Sequence, residues 1–162
     1  MLFILLLLAQ TARAQPEASW STDQTQHFTI NHESLGSHLG DYNRIERIYD
    51  ALHPDLWQLV PWMTQNKVHV YLYNERGSFL KGRFHPPPWS GGLMAEPEGE
   101  KSLAVFQPLD TAIIAHELTH LYFHAFFDEN TSQPPVWLDE GLAGMLQGDA
   151  LTLPDPHDKG PV

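Results

Sequence analysis

Apolar and polar positions alternate and recur along this chain in ways that mark out its elements. Gln26 to Asn31 reads Gln-His-Phe-Thr-Ile-Asn, with Phe28 and Ile30 on one side of a predicted first strand. From Asp41 onward Ile45, Ile48, Tyr49, Leu52, Leu56 and Leu59 follow helical spacing. Arg44, Glu46, Arg47 and Asp50 are expected on that helix's solvated face, and Pro54 is expected to kink or restart it after His53. Lys67 to Tyr73 is the strongest strand pattern: Val68, Val70 and Leu72 on one face, His69, Tyr71 and Tyr73 on the other. Asn74 to Gly82 predicts a short helix anchored by Phe79 and Leu80, followed by a stiff proline-rich loop, Phe84 to Trp89. Gly91 to Ala95 and Ser102 to Phe106 flank an acidic turn and predict a β-hairpin. His27 and His32 are expected to face solvent, Glu96 to be a solvated carboxylate, and His69 to be packed or exposed.

A different pattern begins at Ala112. As far as Phe127 the chain is apolar nearly all the way round, which marks a buried helix. Its polar side chains His116, Glu117, His120 and His124 fall on one stripe about 100° wide. Burying ionisable groups is costly unless they are paired or bind a metal. His116, Glu117 and His120 form the pattern H-E-x-x-H, which puts both imidazoles on one helix face a turn apart. Glu117, rotated by about 100° from His116, sits beside an ion held there and is placed to take a proton from bound water. That is the metal-plus-base arrangement of a zinc hydrolase. After a polar loop, Pro134 to Ala143 reads Pro-Pro-Val-Trp-Leu-Asp-Glu-Gly-Leu-Ala, with Pro135 suited to a helix's first turn. Gly141, Ala143 and Gly144 are small, and are expected to let this helix approach the first.

The third ligand separates families. A metzincin continues with Gly three residues after the second His and a third His three beyond; here those positions are Phe123 and Phe126. His124 lies two turns, about 12 Å along the axis, from His116, and is read as packed or hydrogen-bonded near the site. Taken together, the H-E-x-x-H helix and Trp137-Leu138-Asp139-Glu140-Gly141-Leu142-Ala143 resemble the gluzincin metallopeptidases, particularly peptidase-MA-like domains. The resemblance covers about a quarter of the chain. It implies one Zn2+ held by His116, His120 and Glu140, Glu117 as the catalytic base, and Asp139 as a surface group or one behind the ligands. It also implies a hairpin edge along which an extended substrate lies, with Gly91, Gly92 and Leu93 near the substrate backbone. Glu96 does not match the aminopeptidase anchor for a free N-terminus.

Composition bounds the rest. Met1 to Ala9 is an apolar run followed by Ala12-Arg13-Ala14, read as a signal peptide over residues 1–14 cleaved before Gln15. It is far short of the ~20 residues needed to span a bilayer, so no stable membrane insertion is expected. With no cysteine there is no disulfide framework, thiolate nucleophile or Cys-ligated zinc, and an exported, periplasmic or extracellular protein fits. The formal net charge of −11 disfavours nucleic acid and anionic lipid as partners. Residues 15–162 suffice for a single peptidase-MA-like zinc domain with one core. Gluzincins carry further helices behind the glutamate helix, with a Tyr or His that stabilises the oxyanion; here only His157 follows Glu140. Three readings remain open: a core truncated at Val162, a nearer group such as His124 or Tyr122 in that role, or zinc binding without efficient catalysis.

The expected fold is α+β: a small mixed sheet of about four strands between the first helix and the buried H-E-x-x-H helix, which is followed by the glutamate-bearing helix. For a thermolysin-like gluzincin core the expected function is zinc-dependent hydrolysis of a peptide or protein substrate. The alternative is a catalytically inactive, zinc-binding scaffold. A metal-handling protein is less favoured because the ten histidines are scattered, and a purely structural domain would bind no metal tightly.

Overall fold

The computed structural model describes residues 20–33, 38–129 and 133–150. The proposed leader and the tail with His157 lie outside the described residues. Five strands form one mixed sheet in the order β1-β2-β3-β5-β4: β1 (Trp20–Gln24), β2 (Phe28–Glu33), β3 (Val68–Tyr73), β4 (Gly92–Ala95) and β5 (Ser102–Phe106). The β2/β3 and β3/β5 pairs are parallel; the two outer pairs are antiparallel. Helices α1 (Leu39–Leu56), α2 (Trp62–Gln65), α3 (Arg76–Lys81), α4 (Thr111–Glu129) and α5 (Val136–Ala150) complete an α+β fold.

The alternation in β3 works as its sequence predicts. Val68, Val70 and Leu72 join Phe28, Ile30, Leu103 and Val105 on one sheet face, while Tyr71 and Tyr73 join Ala104 on the other. Both α1 and α4 cover the first face, so the expectation that the sheet separates them is overturned. Their apolar stripes also meet each other, with Tyr49 and Tyr122 edge to face at 6.1 Å, and close a single core. The aromatic face needs less cover: Phe79 of α3 and Phe84 of the proline-rich loop pack on Tyr73 and Tyr71.

Three local expectations also change. Strand β1 has no apolar alternation and is exposed throughout, so its pairing with β2 rests on backbone hydrogen bonds, on polar side-chain bonds such as Thr22 to Asn31 at 2.8 Å, and on Trp20, whose ring lies 5.0 Å from that of Tyr73. Its turn, closed by Thr25 N–H on Phe28 C=O at 2.9 Å, takes up Gln26 and His27 and starts β2 two residues later than the alternation suggested. Helix α1 runs through Pro54 unbroken. The bond Pro54 cannot make is to the C=O of exposed Asp50, and the helix runs on to its C-cap, where Trp57 N–H donates to His53 C=O at 3.0 Å.

Part of α1's polar face is structural rather than solvated. Glu46 accepts from both the N–H and the ring Nδ1 of His27, at 3.0 and 2.6 Å, and His27 stacks on Tyr49 at 3.7 Å. Arg44 reaches Leu109 C=O at 3.1 Å, binding α1 to the segment that leads into α4. His32 is buried, with Nε2 3.1 Å from Asp23. Glu96 is ion-paired with Lys101 at 2.6 Å rather than free in solvent.

Candidate metal centre

Helix α4 starts where Asp110 caps it: Oδ1 accepts from Ala112 N–H at 2.9 Å and Ile113 N–H at 3.2 Å. Ile114, Ala115, Leu118, Leu121, Tyr122 and Ala125 are buried and set the helix's rotation against the core. That rotation turns the stripe of His116, Glu117, His120 and His124 towards α5 and strand β4. Helix α5 opens on Pro135, whose C=O accepts from Leu138 and Asp139. Ala143 and Leu146 are fully buried and hold α5 in place, with Leu142 packed beside them. Gly141 and Gly144 face open space, so of the three small residues Ala143 alone serves the close approach. Trp137, Val136 and Met145 are exposed, so this helix buries only part of its apolar surface.

The helix pair brings three of the four expected site residues to one point. His116 Nε2 and His120 Nε2 are 3.0 Å apart. Glu140 places Oε2 3.6 Å from the first and Oε1 3.8 Å from the second. A tetrahedral zinc with bonds of about 2.0–2.1 Å requires donor atoms roughly 3.3 Å apart, so these separations bracket the requirement.

Hydrogen bonding fixes what those nitrogens are. His116 Nδ1 lies 3.1 Å from Gln147 Oε1, and His120 Nδ1 lies 2.7 Å from Asp139 Oδ1. A carboxylate only accepts, so His120 carries its proton on Nδ1, and the Gln147 carbonyl makes the same demand of His116. With both rings neutral, the two Nε2 atoms present lone pairs to one gap, where a cation can accept them. The donor set fits a zinc ion on chemistry as well as distance.

Glu117 stands outside that ligand group. Its Oε2 accepts from Met94 N–H on edge strand β4 at 3.0 Å. Gly91 and Gly92, expected beside a substrate backbone, have a packing reason. A Cβ at Gly91 would run into Ile113 Cδ1, and one at Gly92 would lie 2.7 Å from Ile113 Cγ2 and 3.3 Å from Glu117 Cγ. Their bareness lets α4 settle against β4 and puts Glu117 within reach of the strand.

Of the ring partners, Asp139 was expected as a surface group or one behind the ligands and takes the latter place, while Gln147 is the residue that sequence reasoning left unassigned. Gln147 sits seven residues after Glu140, two turns along the same helix face, which was the available signal. Asp139 also accepts from His124 Nε2 at 2.9 Å. Burial raises the Asp139 pKa, but the two imidazole donors outweigh it and hold the carboxyl below its ordinary value. Tyr122, considered as an oxyanion donor, is fully buried on the opposite side of α4 against Tyr49 and Trp62 and does not reach the centre.

Among the described residues no helix is long and apolar enough to cross a membrane. Compared with known proteins, the chain matches no family model and no curated protein.

Proposed function

We propose that this chain is an exported zinc metallopeptidase with a thermolysin-like gluzincin core, in which His116, His120 and Glu140 hold one zinc ion and Glu117 is the general base. The observation that carries the reading is the meeting of two imidazole nitrogens and a carboxylate at one point, with the far nitrogen of each ring already engaged. Zinc in such a site supplies a Lewis acid for the scissile carbonyl and a water whose pKa is lowered towards about 7. Glu117 takes the proton of the attacking water on a carboxylate oxygen and passes it to the leaving amine. The Met94 N–H orients that carboxylate in the resting chain. Among the described residues strand β4 pairs only with β5, so an extended peptide can align along its other edge.

The inactive-scaffold alternative is favoured by one observation: Tyr122 is buried away from the centre and His124 is bonded to Asp139, so neither nearer candidate is free to stabilise an oxyanion. The substitution Glu117→Gln separates the two. For a peptidase it should lower cleavage of a denatured, casein-like substrate by about 10²–10⁴-fold at unchanged zinc content, and a chelator should stop the wild type until zinc is restored. Wild-type protein that holds zinc yet cleaves nothing establishes the scaffold. Undiminished cleavage by Glu117→Gln removes Glu117 as the base.

A further inference from the structure

The third histidine of α4 has no part in the ligand set, yet it is tied to it. His124 lies one turn beyond His120, their ring centres 6.3 Å apart, and both rings bond the same carboxylate: His120 Nδ1 to Asp139 Oδ1 at 2.7 Å, His124 Nε2 to Asp139 Oδ2 at 2.9 Å. We infer that His124 is a positioning residue for the metal centre, acting through Asp139 to fix the ring of His120 and the rotation of α5. The inference rests on the assignment of His116, His120 and Glu140 as metal ligands.

The Asp139 side chain is 14 % exposed, and each of its oxygens has one imidazole donor. With both oxygens held, the carboxylate plane is fixed between the two rings. If His124 is removed, that plane is free to rotate and the bond that orients His120 loses its anchor. A second consequence follows from the helix. Asp139 and Glu140 are neighbours in the first turn of α5, their side chains about 100° apart around the axis. A carboxylate clamped by two residues of α4 therefore fixes the rotation of α5, and with it the direction in which Glu140 points. Val136 and Trp137 at the same end of α5 are exposed and supply no such restraint.

A second ion among His120, His124 and Asp139 is the competing explanation, since one ligand atom from each lies within 4.8 Å of the others. Such an ion needs a lone pair on His120 Nδ1 while Nε2 offers another to the first ion. A neutral imidazole has one such nitrogen, so both sites fill together only if His120 loses its remaining ring proton. The separations of 2.7 and 2.9 Å are those of charge-assisted hydrogen bonds. One ion and one clamp use both nitrogens of His120 and both oxygens of Asp139.

The test is metal affinity of the full chain, measured by competition with a chromophoric chelator, together with the visible spectrum of the cobalt(II)-substituted protein. Partners that orient a metal-bound histidine typically contribute about 10–100-fold in affinity. The substitution His124→Phe should weaken binding by about 10-fold and alter the cobalt spectrum. In His124→Gln, which keeps a side-chain donor, both should return towards wild type. Because His124 acts through Asp139, the double variant His124→Phe/Asp139→Ala should bind no more weakly than Asp139→Ala alone. If His124→Phe does not fold, His124→Met, of similar length and without a donor, takes its place. Wild-type affinity in the donor-free variant, no rescue by Gln, additive losses or two ions per chain would each overturn the inference. If wild type holds no ion, the metal assignment itself fails; if His116→Ala releases the ion and His124→Phe changes nothing, only the positioning role falls.

Discussion

His116 and His120 present their Nε2 atoms to each other across 3.0 Å, while Gln147 and Asp139 accept from the nitrogen on the far side of each ring. Two ring nitrogens this close, each with its far nitrogen engaged, suit a metal ion between them when neither ring carries a second proton. The purified protein should therefore carry about one zinc per chain, as a single three-ligand site implies. Either His116→Ala or His120→Ala should abolish retention after dialysis. Elemental analysis decides it, and full metal content in either variant would show that the ion is held elsewhere.

Adjacent carboxylates on α5 have separate tasks, which substitution should resolve. Glu140 faces the two Nε2 atoms; Asp139 faces the rings from behind. Loss of Asp139 as Ala should cost about 10–100-fold in zinc affinity, and Glu140→Ala should cost considerably more because a donor atom is lost. Chelator competition on both variants gives the order directly. Equal losses, or the reverse order, would mean that α5 is rotated about its axis from the arrangement described.

Gly92 should tolerate no side chain without a penalty. A Cβ there meets Ile113 Cγ2 at 2.7 Å, and Glu117 Cγ at 3.3 Å. Crowding a packed contact of this kind typically costs about 1–3 kcal/mol. Gly92→Ala is expected to lower stability in urea unfolding by that order and, if Glu117 is the base, to reduce turnover more than substrate affinity. Gly144→Ala, whose Cβ meets open space, is the control and should be neutral or slightly stabilising. Similar destabilisation at both positions would contradict the close approach of α4 to β4.

Acid should weaken the fold partly through Glu46. Burial raises its pKa, but hydrogen bonds from the Thr25 hydroxyl, the His27 N–H and the His27 ring outweigh this and hold it below the ordinary value of 4.5. A carboxyl lowered in the folded state contributes stability that is fully present above its unfolded pKa and is lost as pH falls through the folded one. Urea midpoints of wild type should accordingly decline as pH drops below about 4.5, with a shallower decline in Glu46→Gln. Parallel declines in the two proteins would show that the pair with His27 does not contribute.

Much of the fold was legible because its signals are local. The alternation in Lys67 to Tyr73, the helical spacing from Ile45 to Leu56, and the hairpin around residues 96–100 each depend on periods of two or about 3.6 residues, which a chain displays in order. The same holds for the site: the i, i+4 spacing of His116 and His120 and the stripe they share with Glu117 are properties of a helix alone. The long-range arrangements were not legible in that way. Strand β1 carries no apolar alternation and exists because the edge of β2 offers backbone partners. That α1 and α4 share one sheet face follows from the fit of their two stripes to each other. Gly91 and Gly92 looked like a place for substrate, yet what requires their bareness is Ile113, about twenty residues along the chain. The resemblance named Glu140 beside the histidines and left Asp139 and His124 as neighbours of the site, but that these two meet each other, and that Gln147 serves His116, emerged only once two helices were set side by side. A side chain's own period says which way it points; what it meets there depends on a second element whose distance and rotation are set by the packing of the whole core.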